Sequence, residues 1–555
     1  MRPSRILKQF GAVEWWPWNL PLASVLALCV ARFWVMPLFS SYWIDEMATL
    51  FVVRQGASHP SFAVAPQVPQ SLYYVLAGIA GRLLGFGEAA MRLPSLLAMG
   101  VALCFVARLA ARLIHPSAAW FVVFGCLSLR GINYQAADAR PYALGSCVAA
   151  AGVWFLVRWF DTCRWRDAAL FVLFGALLWR IHLIYWPFYL VFAAYALARI
   201  VFRETGVTWR QALAAFAVLA LALTPVALNA LTLLPQAGLH VIAGLPTLRN
   251  LLLAVKLGFV ATCGAAAFLL HYAFKSRRAR LSNRPAESQL PSSASLLLIA
   301  GWWLCQPLSL FLFSWLTGDS AFIGRYVSVA LPGAVLAAAA VAAPFVADAH
   351  WRPAALALGL GVLVLLGGWD AVWPRHEHSD WRLAARSANR LVLDPATPVI
   401  VPSPFIEARP PVWRPDYPLS SFLYAHLQVY GLQGRVYPFP YDASPQVEDF
   451  AAGLSRQTLA PSSRFLIFGP ESATGFWRDW FAARPELAGW RWRRLGPFGD
   501  VDVVVFEKPT SRATRARGRR HWAGAFLYAG RSQPSQSMTA TSSPAAPRNV
   551  PNGSS

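Results

Sequence analysis

The chain has 555 residues, of which 57% are hydrophobic and only 14% are charged. Since a soluble globular protein carries about a quarter charged residues, the composition excludes that class and indicates an integral membrane protein with several spans. The formal net charge of +23 does not indicate nucleic-acid binding. The Lys and Arg residues stand in short clusters between apolar segments, which is the pattern of cytoplasmic loops.

The apolar segments predict an α-helical polytopic membrane protein with about eleven spans. The stretch 71–84 is also apolar, but its length of about fourteen residues is typical of a re-entrant or interfacial segment. If this stretch does not cross, the basic clusters between later spans all fall on the cytoplasmic side, as the positive-inside rule requires. The predicted spans are 20–39, 93–113, 118–129, 142–160, 168–178, 185–200, 211–231, 251–274, 296–316, 327–346 and 354–369.

This topology divides the chain into four parts. A basic cytoplasmic N-terminus covers 1–19, and the segment after it has no clear cleavage site, so we expect a retained first span. A transmembrane domain covers 20–372 and includes a long outer loop, 40–92. From 375 to 509 prolines and charges rise, and short apolar runs alternate with helical patterns, which predicts a small extracytoplasmic α/β domain.

The predicted strands of that domain are 399–401, 465–468 and 501–506, and its predicted helices are 421–430 and 471–481. The last part, 510–555, is rich in Arg and then in Ser, Pro, Thr and Ala. We expect it to be disordered, either as a solvated tail or as a contact for anionic lipid. All seven cysteines precede the α/β domain at 375–509, and they show no metal-binding spacing.

Two acids, Asp45 and Glu46, stand side by side just after the first span. Ionised side chains at a membrane boundary usually mark a site or a substrate path, although an acid pair also caps an interfacial helix. The topology gathers further charged groups on the same outer face. A mixed-charge cavity there suits a charged amphiphile. The residues brought together are Asp45, Glu46, Arg92, Asp138, Arg140, His182 and Arg325.

Two further motifs open spans on this face. Asp138 suits the start of a helix, but Arg140 lies at the unfavourable end of the helix dipole and indicates an anionic partner, either Asp138, Asp45 or a phosphate. Arg325 and Tyr326 begin a later span, as an interfacial anchor or as a phosphate-binding pair. The remaining aromatic groups, Tyr73, Tyr74 and His182, are more typical of interfacial or structural positions.

In order, these motifs resemble the C-type membrane glycosyltransferases that use polyprenyl-phosphate sugars. That group includes protein mannosyltransferases, the aminoarabinose transferase of lipid A and the lipopolysaccharide-core galacturonosyltransferases. The resemblance covers roughly residues 15 to 345. Family members often carry His-Pro-Pro at 68–70 and Glu at 138. The matching motifs are Asp45-Glu46, Pro69-Gln70-Ser71-Leu72-Tyr73-Tyr74, Arg92-Leu93-Pro94-Ser95, Asp138-Ala139-Arg140-Pro141-Tyr142 and Arg325-Tyr326.

The resemblance implies transfer of a sugar, with inversion, from a polyprenyl phosphate to a hydroxyl group. The acceptor is a glycolipid, cell-envelope glycan or protein on the outer face of the plasma (inner) membrane. It places the general base on Asp45. Glu46 is expected to orient the acceptor or to join Asp45 in holding a divalent cation, which some relatives use. Arg140 and Arg325, with Arg92 as a third candidate, are expected to bind the donor phosphate. Supporting roles fall to Asp138, Tyr326, Tyr73, Tyr74 and His182.

Two other functions remain open from the sequence. A transporter or flippase of lipid-linked sugars shares the charged outer cavity, but it is expected to show internal repeats and acids near the membrane midplane. In this chain the acids cluster at one face. A non-catalytic assembly protein, with the outer domain as its working part, is the other alternative.

Overall fold

The computed structural model describes residues 16–237, 243–278, 291–369, 371–496 and 498–509. The predictions for the basic N-terminus before residue 16 and for the tail 510–555 lie outside these residues. Among these residues, fifteen α-helices precede the C-terminal domain. They are α1 Trp16–Val30, α2 Ile44–Gln55, α3 Tyr73–Leu84, α4 Glu88–Leu113, α5 Ala119–Leu127, α6 Arg130–Ala136, α7 Tyr142–Thr162, α8 Trp165–Ile181, α9 Phe188–Val201, α10 Trp209–Ala237, α11 Leu248–Ala254, α12 Leu257–Arg278, α13 Ser293–Thr317, α14 Leu331–Ala342 and α15 Trp351–Leu366.

Among the described residues, eight helices are long and apolar enough to cross a membrane. They are α1, α4, α7, α9, α10, α13, α14 and α15, several of them lengthened by short 3-10 turns. The pair α11 and α12 is bent by 51° and makes a ninth span if counted as one. The predicted polytopic helical fold is confirmed. The other two of the eleven predicted spans correspond to α5 and α8, which have 9 and 17 residues.

Helix α3 has 12 residues, so at 1.5 Å per residue it is about 18 Å long. It cannot cross a hydrocarbon core of about 30 Å. This agrees with the prediction that the apolar stretch 71–84 is not a span.

Helix α7 lies in the interior of the membrane bundle. Of its most apolar stretch, 78% is buried, whereas only 11% of the corresponding stretch of α10 is buried. Small residues on α7 allow this close packing. A Cβ at Gly145 would overlap the ring of Tyr185, so only glycine fits there. The first residue of α7 is Tyr142, and the motif with Asp138 and Arg140 therefore lies at the end of one of the two most buried spans among the described residues.

The elements of the C-terminal domain are α16 Trp381–Asn389, β1 Pro398–Pro402, α17 Ala425–Val429, β2 Arg435–Phe439, α18 Pro445–Leu454, β3 Arg464–Pro470, α19 Glu471–Ala482, β4 Arg491–Leu495 and β5 Val501–Glu507. The strands form one sheet in the order β2-β1-β3-β5-β4. Strand β1 is parallel to β2 and β3, whereas β5 is antiparallel to β3 and β4. The three predicted strands are β1, β3 and β5, whose apolar runs are buried on both faces.

The C-terminal domain shares one hydrophobic core with the loop that carries the acid pair. The rings of Phe51 on α2 and Phe422 lie 5.8 Å apart. The amide of Tyr42 donates to the hydroxyl of Tyr430 over 2.9 Å, and Arg382 pairs with Glu88 at the start of α4. The domain therefore holds this loop in place instead of standing apart from it.

Candidate active site

Asp45 and Glu46 occupy the first turn of α2, where acidic side chains suit the helix dipole. Consecutive residues of a helix point about 100° apart, so the two carboxylates face different surroundings. The Glu46 carboxylate accepts the amide of Trp43 over 3.2 Å, which is the helix-capping role that the sequence left open for the pair. Asp45 has 25% of its side chain exposed.

Glu46 and Arg92 form an ion pair in which neither side chain is exposed. Arg92 Nε donates to Glu46 Oε1 over 2.7 Å, and the amide of Ala139 donates to the same oxygen over 2.7 Å. Burial acts to raise the pKa of Glu46, but the guanidinium beside it brings that pKa below its usual value. Glu46 is thus a buried, ionised anchor with no exposed side-chain surface.

The remaining N–H groups of Arg92 donate to backbone carbonyls at the end of the first span. This leaves Arg92 no donor for a phosphate and no exposure to one. The expectation that Arg92 binds the donor is corrected: its guanidinium ties the outer loop to α2 and α4. The carbonyl acceptors are Pro37 at 3.1 Å, Leu38 at 3.0 Å, Ser40 at 2.8 Å and Ser41 at 3.0 Å.

Asp45, Arg140 and Arg325 converge from three parts of the chain. Asp45 Oδ2 lies 3.4 Å from Arg325 Nη2 and 3.8 Å from Arg140 Nη2. Arg140 Nη1 also donates to the Asp45 carbonyl over 3.2 Å. Of the three anionic partners that the sequence allowed for Arg140, the structure supplies Asp45. Three of the predicted site residues therefore meet.

Two guanidinium groups face one carboxylate here, so the centre carries an excess positive charge. The Nε of Arg140 and the Nε of Arg325 are buried and have no hydrogen-bond partner among the described residues. Burial acts to lower the pKa of Arg325, but Asp45 raises it above its usual value. An unpaired N–H on each of two charged groups is the arrangement that a further anion satisfies.

Aromatic rings surround the two arginines. The guanidinium of Arg325 lies 5.5 Å from the ring centre of Tyr326 and 5.6 Å from that of Trp43. His182 stacks on Tyr142 at 5.6 Å. Burial, and then Arg140 and Arg325, lower the pKa of His182 to about 3, so His182 is neutral near pH 7. Its Nδ1 accepts the amide of Ile184 over 3.3 Å, which is a structural role.

Tyr73 and Tyr74 are buried, with 0% and 9% exposure, and so are not the interfacial aromatics that the sequence favoured. Tyr73 shares a hydrogen bond of 2.9 Å with Ser95 and joins α3 to α4. Burial raises the pKa of Tyr74, against hydrogen bonds with Arg140 and Thr49 that lower it. Tyr74 therefore helps to position Arg140 through this hydrogen bond.

Asp138 lies near the acid pair but is fully buried. Trp43 Nε1 donates to its Oδ1 over 3.0 Å, and His376 Nε2 lies 3.6 Å from the same oxygen. Burial raises the pKa of Asp138. Asp138 therefore positions Trp43, which in turn covers Arg325.

Glu46, Asp138 and His376 come close enough together to suggest a metal centre. The oxygens of Glu46, however, already accept Arg92 and two backbone amides, so a divalent cation there would lie against a guanidinium. Asp45 instead pairs with Arg325 and Arg140. The expectation that Asp45 and Glu46 share a divalent cation stays a prediction.

A cavity of about 730 Å³ adjoins the site and is lined by Trp43, Tyr134, Arg325 and Glu377, among others. Tyr134 donates its hydroxyl to Glu377 over 2.6 Å. Sequence reasoning missed these residues apart from Arg325. Trp43 and Tyr134 lie beside the motifs at Asp45 and Asp138, so the sequence pattern could have identified them. Glu377 follows the last span by many residues and gives no local signal.

Comparisons with known proteins bear on the fold. The chain matches ArnT from Cupriavidus metallidurans in the apo state with a TM-score of 0.50 at 12% identity, over 87% of this chain and 97% of that chain. The chain has the C-type glycosyltransferase fold. At this identity the likeness establishes the fold alone. No protein-family model and no curated protein sequence matches the chain.

Two further solved structures are similar at 12% identity over 87% of this chain. One is the same Cupriavidus metallidurans ArnT bound to undecaprenyl phosphate, with a TM-score of 0.49 and 97% of that chain covered. The other is the oligosaccharyltransferase of Archaeoglobus fulgidus in complex with zinc and sulfate, with a TM-score of 0.41 and 72% covered.

Proposed function

We propose that the chain is a membrane glycosyltransferase that moves a sugar from a polyprenyl-phosphate donor to a hydroxyl group of a glycolipid, cell-envelope glycan or protein. The observation that carries this proposal is the centre at Asp45. It joins a partly exposed carboxylate to two arginines, each with a buried N–H that lacks a partner among the described residues. A base beside an anion-binding pair is what this reaction needs.

The reaction follows from these groups. The acceptor oxygen attacks the anomeric carbon from the side opposite the phosphate, so the new bond forms as the bond to the phosphate oxygen breaks, with inversion. The acceptor proton goes to Asp45. The electron pair of the broken bond leaves with the polyprenyl phosphate, whose charge Arg140 and Arg325 stabilise. Since a phosphate leaves without protonation, one carboxylate is enough.

The ion-pair distances at Asp45 favour this division of roles. Charge-assisted N–H to oxygen bonds are usually about 2.7–2.9 Å long, whereas the nearest arginine nitrogens lie 3.4 and 3.8 Å from Asp45 Oδ2. A phosphate that enters takes these N–H groups and frees the carboxylate for the acceptor. The Cupriavidus ArnT has been solved with undecaprenyl phosphate, and we extend that class of ligand to this chain.

The proposal places the centre on the extracytoplasmic side. Arg112, Arg158 and Arg199 lie near the ends of α4, α7 and α9 that are remote from Asp45, and Arg112 and Arg199 both pair with Asp161. The positive-inside rule assigns such a cluster to the cytoplasm.

In a cysteine-free background, Ser71→Cys should react with a membrane-impermeant thiol reagent in intact cells. Ser276→Cys should react only after lysis. Labelling of Ser276→Cys from outside would reverse the orientation.

The catalytic test compares Asp45→Asn with the wild-type chain. Membranes are supplied with a panel of radiolabelled polyprenyl-phosphate sugars, and the label in the glycolipid, glycan and protein fractions is measured. Because Asn cannot take the proton, and general base catalysis contributes about 10²–10⁴-fold, we expect a loss of that size with binding of undecaprenyl phosphate retained.

Asp319→Asn makes the same change at an exposed acid outside the centre and should transfer normally. Full transfer by Asp45→Asn would remove Asp45 from the mechanism. Passage of the labelled lipid across the membrane without transfer would instead identify a transporter.

A further inference from the structure

The bent span formed by α11 and α12 lines the cavity beside the site. Helix α11 ends at Ala254 and α12 begins at Leu257, whereas the sequence predicted one continuous span over 251–274. Lys256 lies in the break with φ of +54°, a left-handed conformation that is unfavourable for a residue with a side chain. Trp303 Nε1 donates to the carbonyl of Val255 over 2.5 Å. A broken helix that carries a lysine is tolerated where it lines a cavity.

The charges of the cavity are not balanced. Lys256, Arg130 and Arg325 line it, and Lys256 and Arg130 have no ion-pair partner within the described parts of the chain. Glu377 is the one acid among its described lining residues, and it accepts the hydroxyl of Tyr134. Lys256 is half-buried and Arg130 is exposed at the cavity wall, and two such cations without an acidic partner among the described residues attract an anion.

A polar group beside these cations also lacks a partner. Gln135 lines the cavity with 3% exposure, and its Oε1 has no hydrogen-bond partner among the described residues. A buried amide oxygen without a donor is unfavourable by about 1–3 kcal/mol. A ligand hydroxyl would satisfy it.

We infer that this cavity binds a sugar carrying an oxyanion of its own, separate from the donor phosphate. Lys256 and Arg130 hold the oxyanion, and Gln135 accepts a sugar hydroxyl. This inference rests on the proposed function and names a substrate class for it. Arg140 does not line the cavity, whereas Arg325 borders both places. The second anion therefore lies on the Lys256 side of Arg325.

The oxyanion is a carboxylate or a phosphate, and binding of small probes to the purified full chain distinguishes them. The probes are glucuronic acid, glucose 6-phosphate and neutral glucose, followed by saturation-transfer NMR. We expect at least one acidic probe to bind more tightly than glucose. The tighter of the two identifies the group. Equal binding of glucose and both acids by the wild-type chain would overturn the inference.

Substitutions locate the binding. Lys256→Gln and Arg130→Gln should each weaken the acidic probe about 10- to 100-fold, the effect of one charge-assisted hydrogen bond, and Lys256→Arg should retain much of the affinity. Arg249→Gln removes an equal charge from α11 outside the cavity lining and should bind as the wild type does. Unchanged binding by both Lys256→Gln and Arg130→Gln would reject the site.

Undecaprenyl phosphate separates this inference from the proposed function. Lys256→Gln should bind that lipid normally, and the acidic probe should still bind when the lipid is saturating. Loss of lipid binding in Lys256→Gln would assign Lys256 to the donor phosphate, so the second-anion inference would fail while the proposed function stands. A wild-type chain that binds the acidic probe but not the lipid would contradict the proposed function alone.

Discussion

The two neighbouring acids of α2 meet arginines in opposite ways. Glu46 and Arg92 are completely buried. Backbone groups satisfy the hydrogen-bonding atoms of both side chains that do not take part in the ion pair. Asp45 is partly exposed, shares two arginines at 3.4 and 3.8 Å, and leaves N–H groups without partners among the described residues. A carboxylate paired with arginine is a structural anchor where every hydrogen-bonding group has a partner, as at Glu46. It is a candidate site where some groups lack a partner among the described residues, as at Asp45.

The anchor also positions the site. Glu46 accepts the amide of Ala139, the residue before Arg140, and it fixes the start of the helix that carries Asp45. The division of labour between the two centres can be tested by changing each of them.

The largest effect on stability is expected at the anchor. Arg92→Met leaves the Glu46 charge buried without its partner, and breaking a buried ion pair in this way is unfavourable by about 3–5 kcal/mol. Thermal unfolding of the purified protein should show a large fall in melting temperature. Asp45→Asn is the matched control and should melt near the wild-type temperature.

The double variant Arg92→Met with Glu46→Leu should recover part of this loss, because no charge then remains buried. Recovery should be incomplete, since the carbonyls that Arg92 bonded stay without donors. Wild-type melting of Arg92→Met would contradict the structural role.

At the other centre the expected change is in ligand binding. Arg140→Ala or Arg325→Ala should weaken undecaprenyl phosphate about 10- to 100-fold, since hydrogen bonds to charged groups contribute about 1.5–3 kcal/mol. Arg325→Lys should restore part of the affinity, because an ammonium lacks the two-pronged geometry. Arg82→Ala, at an exposed arginine of α3, is the control for lost charge, and equal weakening there would make the effect non-specific.

A smaller effect is expected from pH at His182. Its pKa is lowered from 6.5 to about 3, so between these values the folded state binds fewer protons than the unfolded chain. The free energy of unfolding should therefore fall as pH drops from about 6.5 towards 3. Melting measured across this range should fall less steeply for His182→Asn. Identical slopes would show that His182 does not carry this dependence.

The smallest change is expected for Asp138→Asn. Asparagine keeps the oxygen that accepts Trp43 Nε1 and removes a carboxyl group whose pKa burial has raised. The melting temperature should therefore fall much less than it does for Arg92→Met. A loss as large as that of Arg92→Met would mean that the Asp138 charge, facing His376, is itself an anchor.

The class of fold and the outline of the site can be read from the amino-acid sequence alone. Long apolar segments specify membrane helices because the bilayer requires them, and short apolar runs specified the buried strands β1, β3 and β5. The outer-face assignment of Asp45, Arg140 and Arg325 rested on charge distribution along the chain, and the structure brings those three side chains together.

Which charged groups can react depends on how the chain packs in three dimensions. Arg92 and Arg140 are alike in the sequence, but Arg92 is closed off by carbonyls of a distant turn, while the Nε–H of Arg140 has no partner in the described part of the chain. The break at Lys256 and the arrival of Glu377 in the cavity depend in the same way on contacts between remote segments. A local pattern records the type of a side chain, whereas burial and hydrogen-bond partners, which set its chemistry, come from the packing of the whole chain.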